Sequence, residues 1–492
     1  MKKTEIIVIG SGFAGLAAAA LTAKAGHRVS LIEKNDQPGG RARVWKQDGF
    51  RFDMGPSWYW MPDVFEDFYT TFGKDANDFY ELKRLDPAYR IYFGKDDFID
   101  VPADREELRA LFETQEPGSA KQLDLFLEQA KYKYEVGMKD YAMRPSHSFL
   151  EFFDFNLIKQ SFKIDLFSGM SRHVRQHFKN RRLIKLLEFP VLFLGATPQK
   201  TPALYSMMNY ADLSLGTWYP MGGMNEIVKA MTAISIEQGV EIHFETEAKQ
   251  IRVENGSATG VETNRAFFPA DLIISNADYQ YTDQVLTPKS NRNYSSEYWS
   301  SRTLSPSCLI FYVGLNKRLD KVLHHNLFFD EDFLLHAEEI YKSPKWPSKP
   351  LFYVCCPSKT DSSVAPPDCE NLFFLVPIAP GLKDSEEQRD IYFDFILDRF
   401  EKITGQNIKE NIVFKRSYCV NDFINDYHSY KGNAYGLANT LMQTAFLKPK
   451  MRSKKVKNLF FTGQLTVPGP GVPPAIISGM IAAKEALKTL KG

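Results

Sequence analysis

Gly10, Gly12 and Gly15 stand in the spacing G-x-G-x-x-G, directly behind the apolar run Glu5 to Ile9. Each glycine has its own task in holding a pyrophosphate: Gly10 allows a tight turn, Gly12 leaves room for phosphates, and Gly15 lets a helix pack closely on the strand. Farther on, Glu33 offers a carboxylate that can accept hydrogen bonds from both hydroxyls of an adenosine ribose and would repel a 2′-phosphate. The chemistry is dinucleotide recognition. The remaining reactive types are scattered. None of Cys308, Cys355, Cys356, Cys369 and Cys419 lies in a C-x-x-C or C-x-x-H spacing, and the nine histidines show no metal or triad pattern. No metal is expected, the thiols read as reduced and buried, and no residue stands out as catalytic.

The elements that must position this chemistry are local and in order. Glu5 to Ile9 reads as a buried parallel strand, Ala14 to Ala25 as a helix of small residues ended by Gly26, and Arg28 to Ile32 as a second strand with Glu33 at its end. MKKTEIIVIG turns at once into Gly10-Ser11-Gly12, with no small-residue cleavage site, so it reads as a strand rather than an export signal.

The 492 residues exceed one hydrophobic core, so two or three interwoven domains are expected. Lys+Arg (61) nearly cancel Asp+Glu (60), which leaves no global field to attract nucleic acid. No run approaches the ~18–20 apolar residues that span a bilayer. The 38 Phe and 23 Tyr suit a protein that handles a large apolar ligand.

Beyond Glu33 the chain runs Lys34-Asn35-Asp36-Gln37-Pro38-Gly39-Gly40-Arg41-Ala42, and Gly49 to Pro56 forms a second signature. Asn458 to Gln464 and Pro468 to Ala475 form a third, ahead of a small-residue helix from Ile476 to Leu490. Val240 to Phe244 and Ala248 to Val253 read as paired strands, followed by the turn Asn255-Gly256 and by Asp271 to Asp278. Together these resemble the flavin-dependent amine oxidase and carotenoid desaturase superfamily. The resemblance implies non-covalent FAD. It implies contacts from Gly10, Ser11, Gly12, Phe13, Ala14 and Gly15 in the first turn, and from Glu33, Lys34, Gly40 and Arg41 beside it. Gly55, Pro56 and Ser57, Ala248 and Asn276, and finally Gly463, Gln464, Gly471, Val472 and Pro473 complete the implied set. Arg41 would give the pyrophosphate a charge-assisted contact. No second G-x-G-x-x-G is present, which argues against a separate NAD(P)H site.

The implied fold class is α/β: a discontinuous Rossmann-like FAD-binding domain (1–75, 220–290 and 450–492) plus an α+β substrate domain (76–219 and 291–449) with a helical membrane-associated part at 150–195. Pro220-Met221-Gly222-Gly223-Met224 resembles the P-x-G-G-M segment of bacterial carotenoid desaturases, and Pro468 to Gly471 resembles their P-G-A-G turn. Pro470 and the stretch Gly463-Gln464-Leu465-Thr466 depart from that pattern. The resemblance is nearest to hydroxycarotenoid 3,4-desaturases, with phytoene desaturase next. A carotenoid cis–trans isomerase, a flavin amine oxidase and a non-enzymatic prenyl-binding escort protein of the GDP-dissociation-inhibitor type stay open as alternatives. Desaturation removes one hydrogen as hydride and one as a proton, and the flavin would then be reoxidised by a quinone or oxygen.

Between Lys159 and Lys185 stand Lys159, Lys163, Arg172, Arg175, Lys179, Arg181, Arg182 and Lys185 against one acid, Asp165, interleaved with Phe and Ile. Basic and aromatic residues mixed at helical spacing suit a helix lying in an anionic membrane interface. The expected location is the cytoplasm, peripherally on the inner face of the cell membrane. Trp58, Tyr59, Trp60, Met207, Met208, Trp218 and Tyr219 are candidates for an apolar tunnel wall.

Overall fold

Strand β1 (Glu5–Ile9) forms the middle of a five-stranded parallel sheet with β2 (Arg28–Ile32), β3 (Glu241–His243), β4 (Leu272–Ser275) and β5 (Leu459–Phe461), in the order β5-β4-β1-β2-β3. The computed structural model describes residues 3–146, 168–194 and 197–491. The strands are continuous apolar runs because both faces of the sheet are covered. Helix α1 (Phe13–Lys24) buries every residue except Leu21 and Lys24. It has no polar face because it is sandwiched by the sheet, α2 (Asn225–Glu237) and α3 (Val472–Lys491). Gly479 of α3 makes this approach possible: a Cβ there would stand 2.3 Å from the Ala14 carbonyl oxygen.

β3 corrects one expectation from the sequence. Residues 241–243 join the parallel sheet beside β2, while 248–254 pair with 257–263 across the Asn255-Gly256 turn. Backbone bonds from Glu33 N to His243 O (2.8 Å) and from Thr246 N to Glu33 O (2.7 Å) tie the chain between the two segments to the end of β2. A positive φ at Glu245 turns the chain between them.

A second sheet has seven strands, in the order 412–418, 307–315, 370–378, 352–355, 325–328, 89–94 and 97–101. Strand 307–315 is wholly buried, yet alternation still sorts its side chains. Leu309, Phe311 and Val313 join a core under helix 386–404, whereas Cys308, Ile310 and Tyr312 face the parallel-sheet half. Tyr312 donates to the Met54 carbonyl at 2.7 Å and so ties the two halves together. Asp53 accepts from Met224 N (2.7 Å) and Asn225 N (3.0 Å) at the start of α2, and a Cβ on Gly223 would stand 2.6 Å from its carboxylate.

The basic stretch differs from a single helix. Residues 147–167 lie outside the described residues, so Lys159, Lys163 and Asp165 are among those not described. The rest of the stretch forms two short helices, 170–177 and 181–188, the second capped by Asn180. Their apolar sides, including Val174, Leu183 and Leu187, are buried in the fold. Arg175 pairs with Glu188 and Arg182 with Asp97. Among the described residues no helix is long and apolar enough to cross a membrane.

Candidate active site

A cavity of about 900 Å³ opens at the carboxyl ends of β1 and β2, where doubly wound sheets bind dinucleotides. Of the residues singled out in the sequence for cofactor contact, all but Gly15 line it. Gly15 serves from behind: a Cβ there would stand 1.9 Å from the Gly10 carbonyl oxygen, so the helix could not start where it does. Gly10 has φ +91°, and Gly55 lies so close to Arg41 that a Cβ would stand 2.6 Å from its carbonyl oxygen.

Glu33 is buried, and its carboxylate is fully engaged. One oxygen accepts from Ser11 N (2.8 Å) and Ser11 Oγ (2.6 Å), the other from Asn35 N (2.9 Å) and Asn35 Nδ2 (3.0 Å). A ribose hydroxyl binding here would have to take the place of the Ser11 hydroxyl or the Asn35 amide.

Arg41 places a cation beside the glycine turn. Its guanidinium donates to Ser429 Oγ (3.1 Å) and the Asn433 carbonyl (3.2 Å) and lies 5.1 Å from the Tyr427 ring. Among the described residues it has no carboxylate at ion-pair distance, and its buried Nε has no partner. Burial alone pushes its pKa down, with Asp278 the leading opposing charge. Buried charges are ordinarily paired. Asn276 Oδ1, facing the Gly12 turn, is likewise buried without a partner. A pyrophosphate beside Gly12 and Gly40 would neutralise the one, so this cradle fits a dinucleotide.

Across the cavity, Ser478 of α3 fixes the opposite turn. Its hydroxyl accepts from Gly463 N and meets Thr462 Oγ1 and Thr466 Oγ1, each at 3.0 Å. Helix α3 starts at Val472, earlier than the sequence suggested, with Pro473 and Pro474 in its first turn, where proline's missing N–H costs nothing.

The cavity continues into an uncharged region walled by Trp58, Trp60, Met138, Met207, Met208, Tyr205, Phe446 and Leu375. The charged residues of the wall, Glu33, Lys34, Arg41, Glu247, Asp278 and Asp426, belong to the dinucleotide end. Tyr59, Trp218 and Tyr219, expected in a tunnel wall, do not line it. Tyr59 is core and bonds Tyr80, Trp218 Nε1 donates to Leu215 O, and Tyr219 donates to Asp361. Conversely Tyr205, Tyr353, Tyr435 and Phe446 line the cavity without any mark in the sequence, because an aromatic residue looks the same in a core and in a cavity wall. Burial pushes the hydroxyls of Tyr205, Tyr353 and Tyr435 up, so they stay protonated and cannot act as bases.

Behind this wall the fold assembles His324, His325 and Cys355, which no spacing in the sequence connects. Burial keeps both imidazoles neutral, pushing His324 down to about 3, and pushes the Cys355 thiol up to about 12.

A dinucleotide cradle on a parallel sheet, joined to an uncharged cavity, defines a flavin-dependent oxidoreductase. Residues 13–487 match the family described as flavin containing amine oxidoreductase, and the chain belongs to that family. Its cofactor is FAD. Within it, the chain belongs to the carotenoid desaturases. It is 39% identical over 99% of its length to a carotenoid 3,4-desaturase of Haloarcula japonica, 98% of which is covered. It is 32% identical over 99% of its length to a 4,4′-diapophytoene desaturase of Staphylococcus aureus, 99% of which is covered. An oxidoreductase structure from Methanosarcina mazei shares the fold at TM-score 0.65 and 17% identity, over 98% of this chain and all of that one.

Proposed function

We propose that this protein introduces a C=C bond into an acyclic carotenoid, by 3,4-desaturation of a 1-hydroxycarotenoid. The observation that carries the reading is the junction of a dinucleotide cradle with a large cavity region that holds no charged side chain among the described residues. A polyene has nothing for a charged group to recognise, and an uncharged wall both solvates it and excludes water. When bound, FAD supplies a two-electron acceptor. The chain's own residues cradle and orient: Gly12 and Gly40 admit the pyrophosphate, Arg41 neutralises it, Glu33 holds the ribose, and Trp58, Met207, Met208 and Phe446 align the polyene. Alignment of this kind lowers a barrier without an acid–base pair. The 39% identity to a carotenoid 3,4-desaturase over nearly the whole of both chains supports the choice of bond.

Under the same reading, residues 1–75, 220–290 and 450–492 form the FAD module and 76–219 and 291–449 the substrate module. All five strands of the parallel sheet fall in the first set, which supports the division. The protein works on the inner membrane surface, reached through the 150–195 segment. Arg172, Lys179 and Arg181 are exposed with no carboxylate partner among the described residues, as contact with anionic lipid requires. Its flavin is reoxidised by a quinone, with oxygen the alternative acceptor.

The test is purified enzyme in vesicles loaded with a 1-hydroxycarotenoid, read by mass spectrometry and absorbance. Loss of two hydrogens with a shift to longer wavelength is expected. Product of unchanged mass would make the protein an isomerase, and no product with any acyclic carotenoid would overturn the reading. Cosedimentation with anionic vesicles that falls as salt rises tests the membrane part.

A further inference from the structure

His325 and Cys355 are direct cross-strand partners on strands 325–328 and 352–355, and His324 precedes the first of these strands. One donor atom from each residue lies within 4.8 Å of the others. All three residues are at least 96% buried. One nitrogen of each ring is anchored: His324 Nδ1 meets Thr360 Oγ1 at 2.7 Å, and His325 Nδ1 meets Tyr353 OH at 2.6 Å. Tyr353 donates its own proton to Ser57 Oγ (2.9 Å), so its oxygen accepts from His325 Nδ1–H. That fixes the tautomer and leaves His325 Nε2 as a bare lone pair. Among the described residues, neither His325 Nε2 nor His324 Nε2 has a hydrogen-bond partner. Two buried imidazoles and a thiol thus converge, the thiol also meeting the Tyr353 hydroxyl.

We propose that His324, His325 and Cys355 form a binding site for a thiophilic d¹⁰ cation, zinc or copper(I), that braces the wall of the cofactor cavity. Neutral imidazole with thiolate is the donor set such ions select. Metal–ligand bonds of ~2.0–2.3 Å set donors ~3.5–4 Å apart, so closure needs a shift of about 1 Å. The outer partners, Thr360 and Tyr353, already orient the rings as second-layer hydrogen bonds do in metal sites. Binding breaks the Cys355 Sγ–H bond, releases that proton to solvent, forms one metal–sulfur and two metal–nitrogen bonds, and changes no oxidation state. The thiolate leaves the site neutral with copper(I). With zinc the residual positive charge faces Asp361, the acid whose charge acts on His324. The brace reaches the cavity through Tyr353, Ser57 and Trp58, which line it, Trp58 stacking on His325 at 4.0 Å.

The test uses the full-length, flavin-loaded protein expressed separately with added zinc and with added copper, passed over a weak chelator and analysed for metal by mass spectrometry. About one ion per chain is expected from one of the two media, with at least a tenfold fall in Cys355→Ala and in His324→Gln and unchanged flavin content. X-ray absorption of the bound ion should show two nitrogens and one sulfur. Metal below about one ion per ten chains from both media overturns the site, as does a Cys355→Ala protein that keeps the wild-type content. If Cys355→Ala does not fold, the X-ray absorption spectrum of the wild type decides: an ion without a sulfur neighbour refutes the proposal.

Discussion

Replacing Arg41 with Met should weaken FAD binding while leaving the apoprotein as stable as before, or more so. Methionine keeps an unbranched apolar stem and deletes a half-buried charge that has no carboxylate at ion-pair distance among the described residues. The groups left behind do not go unsatisfied, because Ser429 Oγ donates to the Asn433 carbonyl at 2.5 Å. Relief of the desolvated guanidinium should therefore change apoprotein stability by between zero and about +2 kcal/mol. The holoprotein loses a charge-assisted contact to the pyrophosphate, worth about 1.5–3 kcal/mol, or roughly a ten- to hundredfold rise in Kd. Arg41→Lys keeps the charge but not the planar fork and should fall between the two. Calorimetric titration of apoprotein with FAD gives the first quantity, and urea midpoints with and without FAD give the second. An Arg41→Met protein that binds FAD within twofold of wild type would refute the assignment. So would an apoprotein destabilised as much as the holoprotein, since Arg41 would then be only structural.

Glu33→Lys deletes an acceptor of four hydrogen bonds at the end of β2, and the ratio of flavin to protein absorbance should fall severalfold; an unchanged ratio counts against a ribose role. Gly15→Ala places a carbon 1.9 Å from the Gly10 carbonyl, so the purified protein should be colourless, and retained yellow colour would show that the turn can shift. Gly479→Ala forces α1 and α3 apart by its clash with the Ala14 carbonyl and should cost about 1–3 kcal/mol in a urea melt; an unchanged midpoint would mean that the helices slide freely. Lys448 is buried with no partner for Nζ among the described residues, and burial pushes it down to about 7. Between about pH 7 and 10.5 the unfolded chain binds this proton and the native one does not, so this group makes native stability rise with pH. Lys448→Met should therefore stabilise the apoprotein most at pH 6, by at most about 5 kcal/mol, with the gain vanishing above about pH 10.5. A gain that does not vary with pH would refute the shift.

The features legible in the chain were local. The first strand, glycine turn, helix and second strand are decided by residues within one turn of each other, and the demand that Gly15 meets is a contact with Gly10 a few residues away. Where the partner lies far off, spacing misleads. Val240 to Phe244 and Ala248 to Val253 look like a hairpin, yet β2 offers the first of them an open parallel edge and the second finds its partner beyond Asn255-Gly256. Trp58 and Tyr59 are neighbours of similar character, and only packing sends one to the cavity and the other to the core.

The sequence alone predicted a dinucleotide at the end of the first strand, because a glycine turn, a helix start and a terminal acid act over a few ångströms of contiguous chain. Its distant signatures, from Gly39 to Arg41 and from Gly463 to Pro474, narrowed that dinucleotide to FAD. Only the tertiary structure decided that Arg41 is half-buried with no carboxylate partner among the described residues, that the cavity runs on into an uncharged chamber, and that His324, His325 and Cys355 converge behind its wall. Each of these is set by strands that meet across the second sheet or by loops hundreds of residues apart. Burial and convergence belong to the packed molecule, and no pattern along the chain encodes them.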